Sequence, residues 1–326
     1  MPLLAAERTV ALEAVRRASH VCREVQSRLV AGVSLEKGDK SPVTVADFAA
    51  QAIVSHLLYR AFPEIPLIGE EDAAALREPA NGALKDKVIQ SVQAVLPELD
   101  EAAILAAIDR GVHEGGPTGR FWTLDPIDGT KGFLRVEQYA VALALIEDGE
   151  VVLGVLGCPN LPGAAGSTGC LFVGVKGQGA TQRGLDDTTE LPIAVAAELD
   201  PTRARFSESV ESGHTKQDDS AKVAELLGIT QPAVRMDSQA KYAAVARGDA
   251  HIYLRLPTRA DYVERIWDHA AGWRVIVEAG GTVTDVRGAP LDFGRGRGLE
   301  ANQGVVATNG QLHAEVIRVV RSVLGR

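Results

Sequence analysis

The chain has 326 residues, 46% hydrophobic and 24% charged, with 43 acidic against 34 basic side chains and a formal net charge of −9. That is the composition of a globular protein of one large domain or two ordinary ones, and its acidity excludes a nucleic-acid polymer as the main partner, since such binders carry a basic face. No apolar run approaches the roughly 20 residues of a membrane span, and Glu7, Arg8, Glu13, Arg16 and Arg17 interrupt the N-terminus where a secretory signal would need an apolar core.

The spacing of Val10, Ala14, Ala18, Val21, Val25 and Leu29 predicts an amphipathic helix over residues 7–31 with its apolar face in a core. A polar loop over 36–42 leads through Val43-Thr44-Val45-Ala46-Asp47 into a second helix ending near Phe62. Asp47 falls near the predicted start of that helix, where a carboxylate caps free amides. Ile65 to Ile68 read as a short strand that delivers Gly69-Glu70-Glu71-Asp72. Such an acidic run is ordinarily a solvated turn; at a strand end it also suits a shared cation. Helices are predicted near 84–95 and 100–109.

The centre of the chain is Trp122-Thr123-Leu124-Asp125-Pro126-Ile127-Asp128-Gly129-Thr130-Lys131-Gly132-Phe133. Pro126 fixes its own φ and holds Asp125 extended, so the chain leaves a half-buried strand and turns at Asp128-Gly129. Two close carboxylates repel unless a cation lies between them. Magnesium would satisfy them, and the Gly129 and Thr130 amides are placed to face a phosphate.

Strands are predicted over 139–147, 151–157 and 170–175, with a hairpin turn at Glu147-Asp148-Gly149-Glu150. A further turn is expected at 177–184, and a domain boundary between Pro192 and Pro201. Beyond it, strands at 205–209, 233–236, 251–255, 282–285 and 304–307 alternate with helices at 220–227, 240–247, 268–279 and 311–324. The expected fold is layered αβαβα. Residues 1–195 form an α+β domain with an antiparallel sheet and most metal ligands. Residues 196–326 form an α/β domain with a mostly parallel sheet. Cys22, Cys158 and Cys170 share no metal-ligand spacing and are expected as reduced thiols of an intracellular, cytoplasmic protein. A redox bridge between Cys158 and Cys170 is the alternative.

Asp47, Glu70, Asp125, Asp128 and Asp268 each fall at an element end and offer only oxygen ligands, the chemistry of two or three magnesium ions. Paired ions suit in-line displacement at phosphorus by water, with Thr130 passing a proton to Asp47. Val43-Thr44-Val45-Ala46-Asp47, Gly69-Glu70-Glu71, Asp125-Pro126-Ile127-Asp128-Gly129-Thr130 and Trp267-Asp268-His269-Ala270-Ala271-Gly272 resemble the signatures of the lithium-sensitive, magnesium-dependent phosphatases related to inositol monophosphatase. Lys131-Gly132-Phe133-Leu134, Asp237-Ser238-Gln239-Ala240-Lys241-Tyr242, Tyr253-Leu254-Arg255-Leu256-Pro257 and Leu291-Asp292-Phe293-Gly294 are similar to the bisphosphate nucleotidase branch of fungal and plant type.

That resemblance implies a set of roles. Glu70, Asp125 and the Ile127 carbonyl hold one ion; Asp125, Asp128 and Asp268 hold a second; a third lies toward Asp47 and Glu70. Asp47 and Thr130 activate water. Gly129, Thr130 and His214 contact the scissile 3'-phosphate, while Ser238, Lys241 and Arg255 hold the other phosphate and the nucleoside. The implied activity is removal of the 3'-phosphate of adenosine 3',5'-bisphosphate, or of its sulfated form, by a monomer that takes a small nucleotide and neither nucleic acid nor membrane. Inositol polyphosphate 1-phosphatase activity and a non-catalytic nucleotide sensor are the alternatives. Thr215-Lys216-Gln217 replaces a second histidine frequent in relatives, and base contacts in the segment around Tyr262 stay unassigned.

Overall fold

In the computed structural model, which describes residues 4–30, 41–163, 166–210, 217–259 and 261–325, the helical periodicity of the N-terminus becomes α1 (Ala5–Val30). Its buried stripe is Ala11, Ala14, Val15, Ala18, Val21, Cys22 and Val25. Helix α2 (Ser41–Ala61) packs against it. Pro42 falls in the first turn of α2, where a residue without N–H is tolerated. The helix therefore starts well before Asp47, and Asp47 is a buried mid-helix residue rather than a cap, a correction to the sequence reading.

The first sheet contains β1 (Leu67–Gly69), β2 (Arg120–Asp128), β3 (Ala140–Glu147), β4 (Glu150–Pro162), β5 (Thr168–Val175), β6 (Gly179–Gly184) and β7 (Leu191–Ile193), in sequential order. Among the described residues of this sheet only β1–β2 is a parallel pair; the pairs from β2 to β7 are antiparallel. The β3–β4 turn is the predicted hairpin, with Asp148 and Gly149 at φ +50° and +78°, as a tight two-residue loop requires. The stretch read as a turn at 177–184 is largely strand β6.

Alternation along these strands builds two cores. Trp122, Leu124, Val141, Leu143 and Leu145 face α1, α2, α4 (Gly82–Gln93) and α5 (Glu101–Asp109). Phe121, Ala140, Ala142, Ala144 and Ile146 face the opposite way, toward α8 (Ala240–Ala246) and α9 (Ala270–Glu278). Small residues there let a helix lie close: a Cβ on Gly174 would sit 2.8 Å from the Arg274 carbonyl.

The second sheet has the order β11-β12-β10-β8-β9, with β8 (Phe206–Glu208), β9 (Val234–Arg235), β10 (Ile252–Arg255), β11 (Thr282–Thr284) and β12 (Val305–Thr308). Strands β8, β9, β10 and β11 run in one direction. Among the described residues β12 alone is reversed, because it slots between β10 and β11 without a crossover helix. One face of this sheet joins the α8–α9 core. The other packs Phe206, Ile252, Leu254 and Val306 against α7 (Gln217–Leu226) and α10 (His313–Val323). Five layers, αβαβα, result. Each fully buried Leu, Ile or Phe in them contributes about 1.5–3 kcal/mol.

Cys158 and Cys170 stand opposite each other in the β4–β5 register, buried and as free thiols, so the bridge is not formed. Among the described residues no helix is long and apolar enough to cross a membrane.

Candidate metal and phosphate site

The parity that turns Phe121 toward the middle helical layer also turns Asp125 there, 3% exposed, at the open end of β2. A register shift between Asp125 and Asp128 marks where Pro126 interrupts pairing with β3. Asp128 ends the strand, and Gly129 (φ +90°) reverses the chain into the short helix α6 (Thr130–Leu134). Glu70 follows β1, the parallel neighbour of β2. Asp268 ends a 3-10 turn, Ile266–Asp268, immediately before α9, not the helix start read from sequence.

These carboxylates raise one another. Withdrawal of its carboxyl from water, then the charges of Asp268, Glu71 and Asp128, push Glu70 up to about 7, although the residue itself is open to the cavity. Burial, then Glu70, Asp128 and Asp268, raises Asp125 well above the carboxylate range. Burial with Glu71 and Glu70 raises Asp47 likewise. Asp128 is raised by burial and Asp268, against the pull of Lys241 and Arg255, and Asp268 is raised chiefly by burial.

An all-oxygen donor set with too few cations fits a hard divalent ion. Asp125 Oδ1 supports the fit: it is buried and makes no hydrogen bond, which is costly unless something else meets it. Glu264, Asp268 and His269 also lie close enough to ligate together, within 4.8 Å. Within that trio Glu264 and His269 are already engaged, and Asp268 only in part. Arg255 Nη2 lies 2.7 Å from Glu264 and 3.3 Å from Asp268, and both His269 ring nitrogens are engaged, by Tyr242 at 2.7 Å and Glu264 at 3.2 Å.

A cavity of about 690 Å³ opens over the acids, with Ile127, Gly129, Thr130 and Lys131 on one wall and Arg255, Pro257, Arg259 and Tyr262 on the other. The structure thus brings Glu70, Asp125, Ile127, Asp128, Asp268, Gly129, Thr130 and Arg255 together. Asp47 joins them from behind, through its charge contacts with Glu70 and Asp125. Among the described residues no hydrogen bond joins Asp47 to Thr130. Ser238 and Lys241 line an adjoining pocket of about 10 Å³ with Asp128, Tyr253 and Arg255, room for about one water. Lys241 is 3% exposed, and burial lowers it to about 8 against Asp128 and Asp237. His214 lies outside the described residues.

Sequence reasoning missed the residues that brace this site. Gln51, one helical turn after Asp47 on α2, accepts from the Glu71 amide at 3.0 Å and donates to the Glu71 carbonyl at 2.5 Å and the Ile108 carbonyl at 2.8 Å. Gln239 donates its amide to Asp128 Oδ2 at 2.5 Å, while its side chain joins the Trp267 carbonyl to the Gly272 amide. Glu264 forms the ion pair that holds Arg255. The i, i+4 spacing of Asp47 and Gln51 on one helix face was the available signal; for Gln239 and Glu264 there was none.

The sequence matches the family model described as "Inositol monophosphatase family" over residues 4–324. It is 44% identical to the "3'(2'),5'-bisphosphate nucleotidase" of Emericella nidulans, covering 98% of each chain. The protein of the same name from Schizosaccharomyces pombe is also 44% identical, over 98% of this chain and 96% of its own. The one from Oryza sativa is 43% identical, over 98% and 95%. Among solved structures, the Thermotoga maritima IMPase superposes with a TM-score of 0.66 at 22% identity, covering 98% of both chains. Mycobacterium tuberculosis SuhB superposes with a TM-score of 0.65 at 19% identity, over 100% and 99%.

Proposed function

The chain belongs to the inositol monophosphatase family, and from that premise we propose that it is a magnesium-dependent phosphatase acting on adenosine 3',5'-bisphosphate. The water oxygen bonds to the 3'-phosphorus as the P–O3' bond breaks; one proton of that water ends on the 3'-oxygen of the departing AMP, and its oxygen leaves in inorganic phosphate. The sulfated analogue is a second substrate of the same kind. The observation that carries the reading is the convergence of Glu70, Asp125, Asp128 and Asp268 under one cavity whose opposite wall is cationic and aromatic. The nucleotidase names of relatives alike over nearly their whole length support the substrate.

In this proposal Glu70, Asp125 and the Ile127 carbonyl hold one magnesium ion, and Asp125, Asp128 and Asp268 a second, with space for a third toward Asp47. Bound there, the ions supply positive charge to a phosphomonoester and to the attacking water. The chain does the rest. Gly129 and Thr130 present amides to the phosphate, and His214 is assigned a contact to the same group by the family resemblance. Thr130 passes the water's proton to Asp47, and Ser238, Lys241 and Arg255 orient the nucleoside 5'-phosphate. Lys241 acts there by its charge alone, since the pocket it lines has room for about one water. The proposal also carries a monomer in a reducing compartment and a division near residue 195, where β7 ends at Ile193 before β8 begins at Phe206.

The test is phosphate release from a panel of adenosine 3',5'-bisphosphate, 3'-AMP, 5'-AMP and inositol 1,4-bisphosphate, with magnesium and with or without lithium. The nucleoside bisphosphate should be the best substrate and lithium should inhibit. Preference for the inositol ester would assign the site to that substrate class instead.

A further inference from the structure

Arg297 lies in the loop between β11 and β12, outside every motif named above. It is ion-paired with no carboxylate among the described residues. Its Nη2 donates to the Gly69 carbonyl at 2.7 Å, and its Nη1 to the carbonyls of His113 at 3.0 Å and Gly111 at 3.2 Å. The same guanidinium lies 4.9 Å from the centre of the Trp267 ring. Gly69 immediately precedes Glu70, and Trp267 immediately precedes Asp268.

The backbone around Arg297 is fixed as well. Its carbonyl accepts from the Ile266 amide at 3.2 Å, and the Leu299 amide donates to the Glu264 carbonyl at 2.8 Å, so 297–299 run as a short antiparallel bridge opposite Arg265, which leads into the 3-10 turn that ends in Asp268. One side chain thus reaches from the segment bearing Asp268 to the strand end bearing Glu70. Three carbonyls and an indole face are what a planar five-donor group can engage at once.

We propose that Arg297 is a positioning residue that sets Glu70 against Asp268, and so the span across which the carboxylates share magnesium. The inference rests on the metal reading above. Gln51 secures the same strand end from the other side through Glu71, which leaves Arg297, among the described residues, as the one side chain that hydrogen-bonds the Glu70 strand end while stacking on the Asp268 segment. Losing it should weaken magnesium before it weakens the nucleotide, because no atom of Arg297 lines the cavity.

The experiment is calorimetric titration of the metal-free protein with magnesium alone, beside thermal denaturation, for native protein, Arg297→Ala, Arg297→Lys and a control, Arg295→Ala, which removes an exposed arginine paired with Asp292. Arg297→Ala should lose roughly tenfold in magnesium affinity, the low end of what partners of metal ligands contribute, with KM for the bisphosphate at saturating magnesium nearly unchanged. Arg297→Lys should recover thermal stability better than magnesium affinity, since an ammonium cannot meet three carbonyls and the indole together. Arg295→Ala should change neither. Native magnesium affinity in Arg297→Ala, or in Arg297→Lys if the alanine form does not fold, would overturn the inference and leave the metal reading intact. If the native protein bound no magnesium, that reading would fail and take the inference with it.

Discussion

Gly129 and the Cβ of Ser238 meet across the two halves of the site, both residues with positive φ, +90° and +69°. A Cβ on Gly129 would stand 2.8 Å from the Ser238 Cβ, closer than carbon atoms pack. The contact lets the turn before α8 bring the Gln239 amide onto Asp128. A strand end of the first sheet and a helix of the middle layer are thereby fixed to one carboxylate.

Gly129→Ala should therefore do two things. The left-handed conformation costs an alanine about 1–2 kcal/mol, and the methyl group must displace Ser238, so stability in urea and kcat/KM should both fall. Removing the opposing Cβ relieves the second effect. Ser238→Gly in the Gly129→Ala background should recover activity beyond the sum of the single changes, a coupling that a double-mutant cycle measures. Strict additivity would show that the two residues do not press on each other.

Asp128→Asn and Asp268→Asn remove ligands from a cluster that is overloaded with negative charge. Turnover should fall on the order of a hundredfold or more at ordinary magnesium. The metal-free proteins should be no less stable than native, because a like charge has been taken away. Loss of both activity and metal-free stability would mean that these carboxylates serve the fold.

The pH dependence of the metal-free protein has a definite sign. Glu70, with a reference value of 4.5, is pushed up to about 7, so between these values the folded state holds a proton that the unfolded chain has lost. Stability contributed in this way declines as pH rises through the window. The metal-free melting temperature should be higher at about pH 5 than at about pH 8, and magnesium should raise it more at the higher pH, where protons no longer compete. A metal-free stability that increases across the window would contradict the arrangement.

Glu264 is the opposite case. Burial works against its charge, but Arg255 and then His269 bring it down to about 2, so its contribution is complete above 4.5 and is lost as pH falls toward 2. Glu264→Ala should cost about 2–4 kcal/mol, less than the full loss for a broken buried pair because Arg255 keeps Asp268. The freed arginine then competes with metal at Asp268, so the half-saturating magnesium concentration should rise. An unchanged magnesium dependence would place the ion pair outside the metal's reach.

Thr130 is exposed on the cavity wall while Asp47 is buried behind the acids. A hydroxyl that hands on a proton acts mainly in the transition state, so Thr130→Ala should lower kcat with KM nearly constant. A change in KM alone would assign Thr130 to holding substrate.

Much of this was legible in order along the chain. The alternation Ala140, Val141, Ala142, Leu143, Ala144, Leu145 specifies a strand buried on both faces. Asp125-Pro126-Ile127-Asp128-Gly129 specifies a strand end that turns under two carboxylates. Asp47 was misplaced because Ser41-Pro42 reads as loop, whereas proline in a first turn forfeits no bond. The sheet was expected mostly parallel, and which strand would be the exception was not legible, because the direction of β12 depends on where it inserts, a property of the assembled sheet. Lys241 was expected to meet a phosphate, and its burial follows only from the packing of α8 beneath Asp128. Arg297 and the Gln239 side chain were invisible for a common reason: their hydrogen-bond partners are backbone groups, and a backbone group leaves no mark in sequence.

The central claim is that these carboxylates serve magnesium-dependent hydrolysis of a 3'-phosphate. Phosphorus NMR of adenosine 3',5'-bisphosphate with the native protein, in magnesium and in excess chelator, tests it most directly. With magnesium the 3'-ester resonance should disappear as inorganic phosphate grows in equal amount while the 5'-ester persists, and in chelator the spectrum should stay as it began. Loss of the 5'-ester instead, or the same hydrolysis in chelator, would contradict it.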